Sequence, residues 1–406
     1  MKKRSFIFII SFIFSLQITF FGFAQDKEKV DIYRQLDLFG EALAAIQKKY
    51  VEEQSPKDLI YGAISGLLLS LDSYSQFLDP DAYKELLVET EGKFGGLGIE
   101  ITIKDGFLTI VSPIEDTPAW GAGLKAGDII VKIDGELTKG ITLDQAVKKL
   151  RGKPGTKVTL TVLREKDRKF EEVTITRDII KIQDIKRALI LEDDIGYIRL
   201  AEFRESTARD LDRALKNLKE KGMKALILDL RNNPGGLLHS ATEVSSRFLA
   251  DDKLIIFTKS REGKKIEYKS LPLSQKHLDI PMVVMINKGS ASGSEIVAAA
   301  LRENRRAIIL GETSFGKGSV QTVIPLSDGS ALRLTTAKYY SPLGNSIHEK
   351  GVEPDITVTK EEVEEKIEDI FEKMREEKQE FNYKKDYQIL RALDLIRGLL
   401  VLASTD

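Results

Sequence analysis

ALILDLRNNPGGLLHSATEVSSRFL, residues 225–249, reads as an apolar run, a turn through Pro234, Gly235 and Gly236, and a helix. The run shows no polar alternation, so a strand there must be covered on both faces. The same beat recurs around it. GYIRLAEF (196–203) gives a strand. STARDLDRALKNLKEKG (206–222) gives a helix opened by Ser206 or Thr207 and closed by Gly222. PMVVMINKGSASG (281–293) gives a strand and loop, SEIVAAALREN (294–304) a helix, and AIILGE (307–312) a further strand. Alternation of this kind predicts an α/β core around a mostly parallel sheet. Sites in such folds gather in loops at the strand C-termini. RNNPGG (231–236), NKGSASG (287–293) and GETSFGKG (311–318) all fall there.

Upstream the texture differs. FGGLGIEI (94–101) is a glycine-rich loop entering a strand, and residues 92–175 continue as short β-like runs, glycine turns and one helix, TLDQAVKKLRG (142–152). A stretch of that size predicts a compact module with its own core. Residues 25–91 read as helical. Leu36, Phe39, Leu43, Ile46 and Tyr50 recur at spacings of three and four, which suits either helix–helix association or packing on the chain's own domain. LDSYSQFLDP (71–80) ends this part, with Pro80 as the stop. Residues 360–406 read as a helical tail with Val363, Ile367, Ile370, Phe371 and Met374 on one face.

The N-terminus carries Lys2, Lys3 and Arg4, an apolar run from Phe6 to Phe23, and small residues at Gly22 and Ala24. That is the layout of a secretory signal spanning residues 1–24, with an uncleaved membrane anchor as the alternative. The expectation is export to a periplasmic or extracellular location. There are no cysteines, which excludes thiol catalysis and thiolate metal sites. The three histidines, His239, His277 and His348, have no paired metal spacing, so no metal is expected. A net charge of −1 and the lack of a basic, aromatic-interleaved patch argue against nucleic acid.

GETSFGKGS (311–319) nearly matches a nucleotide-binding loop through Gly311, Gly316 and Lys317, but Gly318 replaces the hydroxyl residue that would hold magnesium. The following SVQTVIPLSDGSALRLTTAKYY (319–340) reads as a hairpin, not the helix that would face phosphates. No nucleotide and no other cofactor is therefore expected. If Lys317 to Gln321 is extended, Lys317, Ser319 and Gln321 share one face. A desolvated lysine loses its proton more readily and can serve as a base. Its partner would be a serine hydroxyl, and NKGSASGS offers Ser290, Ser292 and Ser294. A serine ahead of a helix has N–H donors and the positive dipole end nearby for an oxyanion. Ser292 and Glu295 also make S-x-x-E, a capping box, so the residues alone leave capping and catalysis open. RNNPGG would supply close backbone approach and a further N–H, or be a plain turn.

Taken together, GGLGIEI, AGLKAGDIIVKIDG, KLRGKPGTKVTLTV, LDLRNNPGG, NKGSASGSEI, GETSFGKGSVQ and YYSPLGNSIHEKGVEPD resemble, in order over residues 32–358, the C-terminal processing (tail-specific) peptidases. The resemblance implies a multidomain α/β protein. It has a helical N-terminal dimerisation segment (25–91), a PDZ domain (92–175), a Clp-protease/crotonase-type serine protease core (176–359) and a helical C-terminal segment (360–406). It implies Ser292 as nucleophile, Lys317 as general base, Gln321 as the group orienting the lysine, and backbone N–H groups of Gly236 and Gly293 as oxyanion donors. Gly96, Leu97, Gly98 and Ile99 would present N–H groups to a peptide's terminal carboxylate, and Arg151 would couple that event to the active site or be a solvated loop arginine. The expected partners are proteins with unstructured apolar C-termini, a second copy of the chain joined through the N- and C-terminal helices, and an adaptor or regulator. Many relatives carry alanine in place of Gly293, and LDSYS (71–75) replaces a commoner L-D-P-H-S in a stretch assigned to the helical part, away from the chemistry. A catalytically inactive PDZ scaffold is the competing reading.

Overall fold

The structure is a computed structural model that describes residues 32–104, 106–114, 116–164, 169–359 and 381–403. The signal-like residues 1–24 and the apolar face from Val363 to Met374 lie outside the described residues. No described helix is long and apolar enough to cross a membrane.

The larger unit is built on a six-stranded sheet. Its strands run Ile185–Ile190, Ile195–Leu200, Ala225–Asp229, Met282–Ile286, Ile308–Gly311 and Ile356–Thr357 in spatial order. The first pair is antiparallel and the rest are parallel. Helices Thr207–Glu220, Leu238–Ser246 and Gly293–Glu303 cover one face, and helix Tyr387–Ala403 covers the other. Every residue of the strands Ala225–Asp229 and Met282–Ile286 is buried; all are apolar but Asp229, whose carboxylate is held by Arg231, Arg199 and the Tyr197 hydroxyl. A second, antiparallel sheet contains the hairpin Ser319–Pro325 and Ala331–Tyr340, with Leu254–Ser260, Lys265–Lys269 and Gln76–Leu78.

The smaller unit is a six-stranded antiparallel sheet in the order Ile99–Lys104, Phe107–Pro113, Ile129–Ile133, Lys157–Leu163 and Phe170–Thr176, with Glu136–Leu137 paired to Ile129–Ile133. It has its own core around Leu108, Ile130, Leu160 and Val162, closed by helix Leu143–Leu150. Strands Lys93–Gly96 and Asp178–Lys181 pair where the chain enters and leaves it.

Two sequence expectations need correction. Residues 32–49, Pro56–Leu69 and Pro80–Glu91 are helical, but Gln76–Leu78 is a strand paired with residues 331–333 of the hairpin. Pro80 also starts a helix instead of stopping one. Asp79 caps it by accepting from the Ala82 N–H at 2.8 Å, and proline at the first helical position gives up an N–H that has no intrahelical acceptor. The second correction concerns the hairpin, which begins at Ser319. Lys317 and Gly318 precede it, and a register shift lies between Val320 and Gln321. The strict alternation expected from Lys317 to Gln321 is thus absent.

Candidate active site

Strand Met282–Ile286 delivers the loop 287–292 onto the N-terminus of helix Gly293–Glu303. Three serines compete for attention there, and their hydrogen bonds separate them. Ser290 is fully buried, donates to the Leu230 carbonyl at 2.8 Å and accepts from the Asn287 N–H. Ser294 is fully buried and donates to the Asn233 carbonyl at 2.9 Å. These hydroxyls pin the loop and the start of the helix to Leu230 and to Asn233 of RNNPGG. Ser292 alone of the three lines an open cleft of about 340 Å³. Its backbone sits at φ 52°, ψ −109°, a conformation disfavoured for a residue with a Cβ. Such strain is held only where the surroundings over-determine it.

RNNPGG packs directly on that serine. A Cβ at Gly235 would lie 2.7 Å from Ser292 Cβ and 2.8 Å from Gly293 N, so only glycine permits the approach. Phe203 holds the turn from below, donating to the Gly235 carbonyl and accepting from Leu237 N–H, both at 2.8 Å. Its ring lies against Gly293, where a Cβ would come within 2.9 Å. Among the described residues, the N–H groups of Gly236 and Gly293 donate to no acceptor. Gly293 opens the helix, where N–H groups are unpaired by construction.

Lys317 lines the same cleft, half-buried. Burial lowers its pKa from the ordinary lysine value; the Arg333 charge lowers it further and the Glu295 charge opposes both. Its Nζ stands 5.6 Å from the centre of the Tyr74 ring. Gln321 also lines the cleft, but its amide donates to Ser319 Oγ at 2.9 Å and Thr335 Oγ1 at 3.3 Å, not to the lysine. None of the three histidines lines the cleft.

Sequence reasoning read one residue here only as a helix cap and missed another altogether. Glu295 is fully buried and accepts from four donors: Ser292 N–H at 2.7 Å, Gly316 N–H at 2.7 Å, Lys317 N–H at 2.9 Å and Ser314 Oγ at 2.6 Å. Burial pushes its pKa up, while the four hydrogen bonds favour the ionised form. One carboxylate thus ties the backbone of Ser292 to that of Lys317. The S-x-x-E pattern exposed the first of those bonds only. Tyr74 is the residue missed. LDSYS is not part of a helix remote from the chemistry. Asp72 accepts from Tyr74 and Ser75 N–H, which turns the segment so that Tyr74 covers the lysine, and Ser75 Oγ accepts from Thr335 N–H. Nothing in the local sequence signals this long-range contact.

In the smaller unit, Gly96, Leu97, Gly98 and Ile99 line a groove of about 100 Å³ with Phe94, Val147, Leu150 and Arg151. Gly98 has φ 78°, and a Cβ there would run into the Thr117 side chain. The Arg151 guanidinium stacks on Phe94 at 4.7 Å rather than standing free in solvent. Among the described residues, no group of three or more His, Asp or Glu side chains converges as metal ligands would.

Comparison with known proteins follows the same division. The sequence profile of Peptidase family S41 matches residues 194–358, and that of the PDZ domain matches residues 109–164. The chain is 44% identical to a carboxy-terminal-processing protease of Bartonella bacilliformis, over 87% of this chain and 82% of that one. It is 38% identical to the carboxy-terminal processing protease CtpB of Bacillus subtilis, over 80% of this chain and 68% of that one. The crystal structure of a putative S41 protease from Bacteroides fragilis aligns with a TM-score of 0.52 at 17% identity, over 85% of this chain and 91% of that one, a likeness of fold.

Proposed function

Because this chain belongs to peptidase family S41, as a carboxy-terminal-processing serine protease with a PDZ domain, we propose that Ser292 and Lys317 are its catalytic dyad. Ser292 Oγ attacks the scissile carbonyl. Neutral Lys317 accepts the hydroxyl proton and passes it to the leaving amine, then takes a proton from the water that hydrolyses the acyl-enzyme. The N–H groups of Gly236 and Gly293 receive the oxyanion. Gln321 has both amide protons committed to Ser319 and Thr335, so its carbonyl oxygen is what it can offer the lysine. The observation that carries this reading is the common cleft of Ser292 and Lys317, with Glu295 bonded to the backbone N–H of both.

The recognition module, residues 92–175, captures an unstructured, apolar protein C-terminus. The peptide carboxylate meets the loop Gly96–Ile99, and the chain extends along the groove. Arg151, stacked on Phe94 at the groove wall, couples occupancy to the protease core. The helix over 32–49 leaves Leu36, Phe39 and Ile46 exposed, as is Tyr50 just past its end, and a second copy of the chain covers them. The protein acts outside the cytoplasm after export by residues 1–24. The test uses protein from Gln25 onward and an unfolded substrate ending in apolar residues, with products read by mass spectrometry. Cleavage that is lost in both Ser292→Ala and Lys317→Ala supports the dyad; cleavage that persists in Lys317→Ala rules it out.

A further inference from the structure

Five charged side chains line the active-site cleft: Glu89, Glu202, Arg204, Lys317 and Arg333. Arg204 is paired with Asp184 and Glu202 and donates to the Glu89 carbonyl, which also accounts for Glu202. Lys317 is the proposed base. Arg333 has no assigned task. It stands on the hairpin strand Ala331–Tyr340, between Val323 on one neighbouring strand and Gln76 on the other. It is half-buried, and among the described residues its guanidinium makes no hydrogen bond and no ion pair. A guanidinium offers five N–H donors in a planar fork that fits a carboxylate in two-point fashion. That fork is unpaired within the protein and lines the cleft, so it is open to a carboxylate that enters there.

We propose that Arg333 forms a carboxylate-binding subsite in the catalytic cleft, so that the enzyme favours substrates presenting an acidic group beside the scissile bond. The inference rests on the dyad reading of this cleft and adds a substrate class to it. On the opposite side of the cleft Glu89 repels such a group and Arg204 is already paired with Glu202 and Asp184, which leaves the hairpin side, with Arg333 and Lys317, to receive it. The carboxylate has two sources: an Asp or Glu side chain, or the free C-terminus of a short tail.

The test is a peptide series around one neutral parent cleaved by the wild-type enzyme. Glu or Gln is placed at successive positions on each side of the cut, and each peptide is made with a free or amidated C-terminus. The wild type should show a kcat/KM about tenfold higher for the best-placed carboxylate than for its neutral counterpart, the size of one charge-assisted hydrogen bond. Loss of the preference on Glu-to-Gln exchange names the side chain as the source; loss on amidation names the terminus. Arg333→Gln should bring the ratio to about one, Arg333→Lys should keep part of it, and Arg333→Glu should turn it toward lysine-bearing peptides, by the same charge logic. A ratio of one in the wild type, or a preference that survives Arg333→Gln, overturns the subsite. Wild-type cleavage of the neutral parent that persists in Ser292→Ala overturns the dyad reading instead, and the subsite with it.

Discussion

Strand Ala225–Asp229 is buried at all five positions, whereas Lys157–Leu163 alternates between buried and partly exposed side chains. The first belongs to a parallel sheet with helices on both faces, the second to a sheet with one core face. A sheet covered on both faces leaves only its ends for function, so the protease chemistry collects in loops beyond the strand C-termini. Those loops would be floppy on their own. Buried polar groups make them rigid: Ser290, Ser294 and Glu295 each bridge two segments distant in sequence. The one-faced sheet leaves a groove between its first strand and helix Leu143–Leu150, where an extended peptide can lie. On the proposed reading, rigid loops serve bond cleavage and an open groove serves capture.

The sharpest way to break this division is at the dyad. Ser292→Ala or Lys317→Ala should lower kcat/KM for a tailed protein by about 10³-fold or more, while peptide capture by the smaller unit stays at wild-type affinity. Steady-state kinetics beside isothermal titration would show it, and loss of both properties in one variant would contradict it. Next comes the clamp. Glu295→Ala strands three backbone N–H groups and a hydroxyl that now share one buried carboxylate. It should cost about 3 kcal/mol of stability and lower kcat at least about tenfold, with tail affinity again unchanged. Chemical denaturation and kinetics check this together.

A smaller effect is expected on the other side of the comparison. Gly98→Ala forces a Cβ into Thr117 at a positive φ, a local strain of about 1–3 kcal/mol. It should raise KM for the tailed substrate about tenfold and change kcat less; an equal fall in kcat would mean that the two units are not separable in this way. The smallest shift sharpens the account of the base. The Tyr74 ring favours the charged lysine, so Tyr74→Leu, which keeps the site apolar, should move the acid limb of the kcat/KM profile to lower pH by about one unit or less. Movement to higher pH would mean that the ring acts by excluding water.

The parallel sheet was legible because a strand buried on both faces must be almost wholly apolar, and ALILDL, whose lone charge Asp229 is paired, and PMVVMI have no other comfortable setting. The hairpin after Gly318 was legible from β-branched residues on either side of Ser327-Asp328-Gly329. Gln76–Leu78 was not, since three residues carry no period and its partner lies some 250 residues further on. The same distance in sequence hid Tyr74. Glu295 was half visible: S-x-x-E predicts the bond to Ser292 N–H, but the loop 314–317 reaches that carboxylate only after the sheet has formed. The irregular register at Val320 and Gln321 is a property of strand pairing, and no single strand announces it. Composition and periodicity therefore specify layers well, and contacts between loops poorly.

The central claim is that Lys317 serves Ser292 as its base in a form made neutral by burial. The most direct measurement is the rate at which a fluorophosphonate modifies Ser292 as a function of pH. A lysine base is inactive when protonated, so the rate should rise with pH through a single ionisation lying below the ordinary lysine value of about 10.4. In Lys317→Ala the rate should be low and that ionisation gone. An identical rate profile in the wild type and in Lys317→Ala would contradict the account.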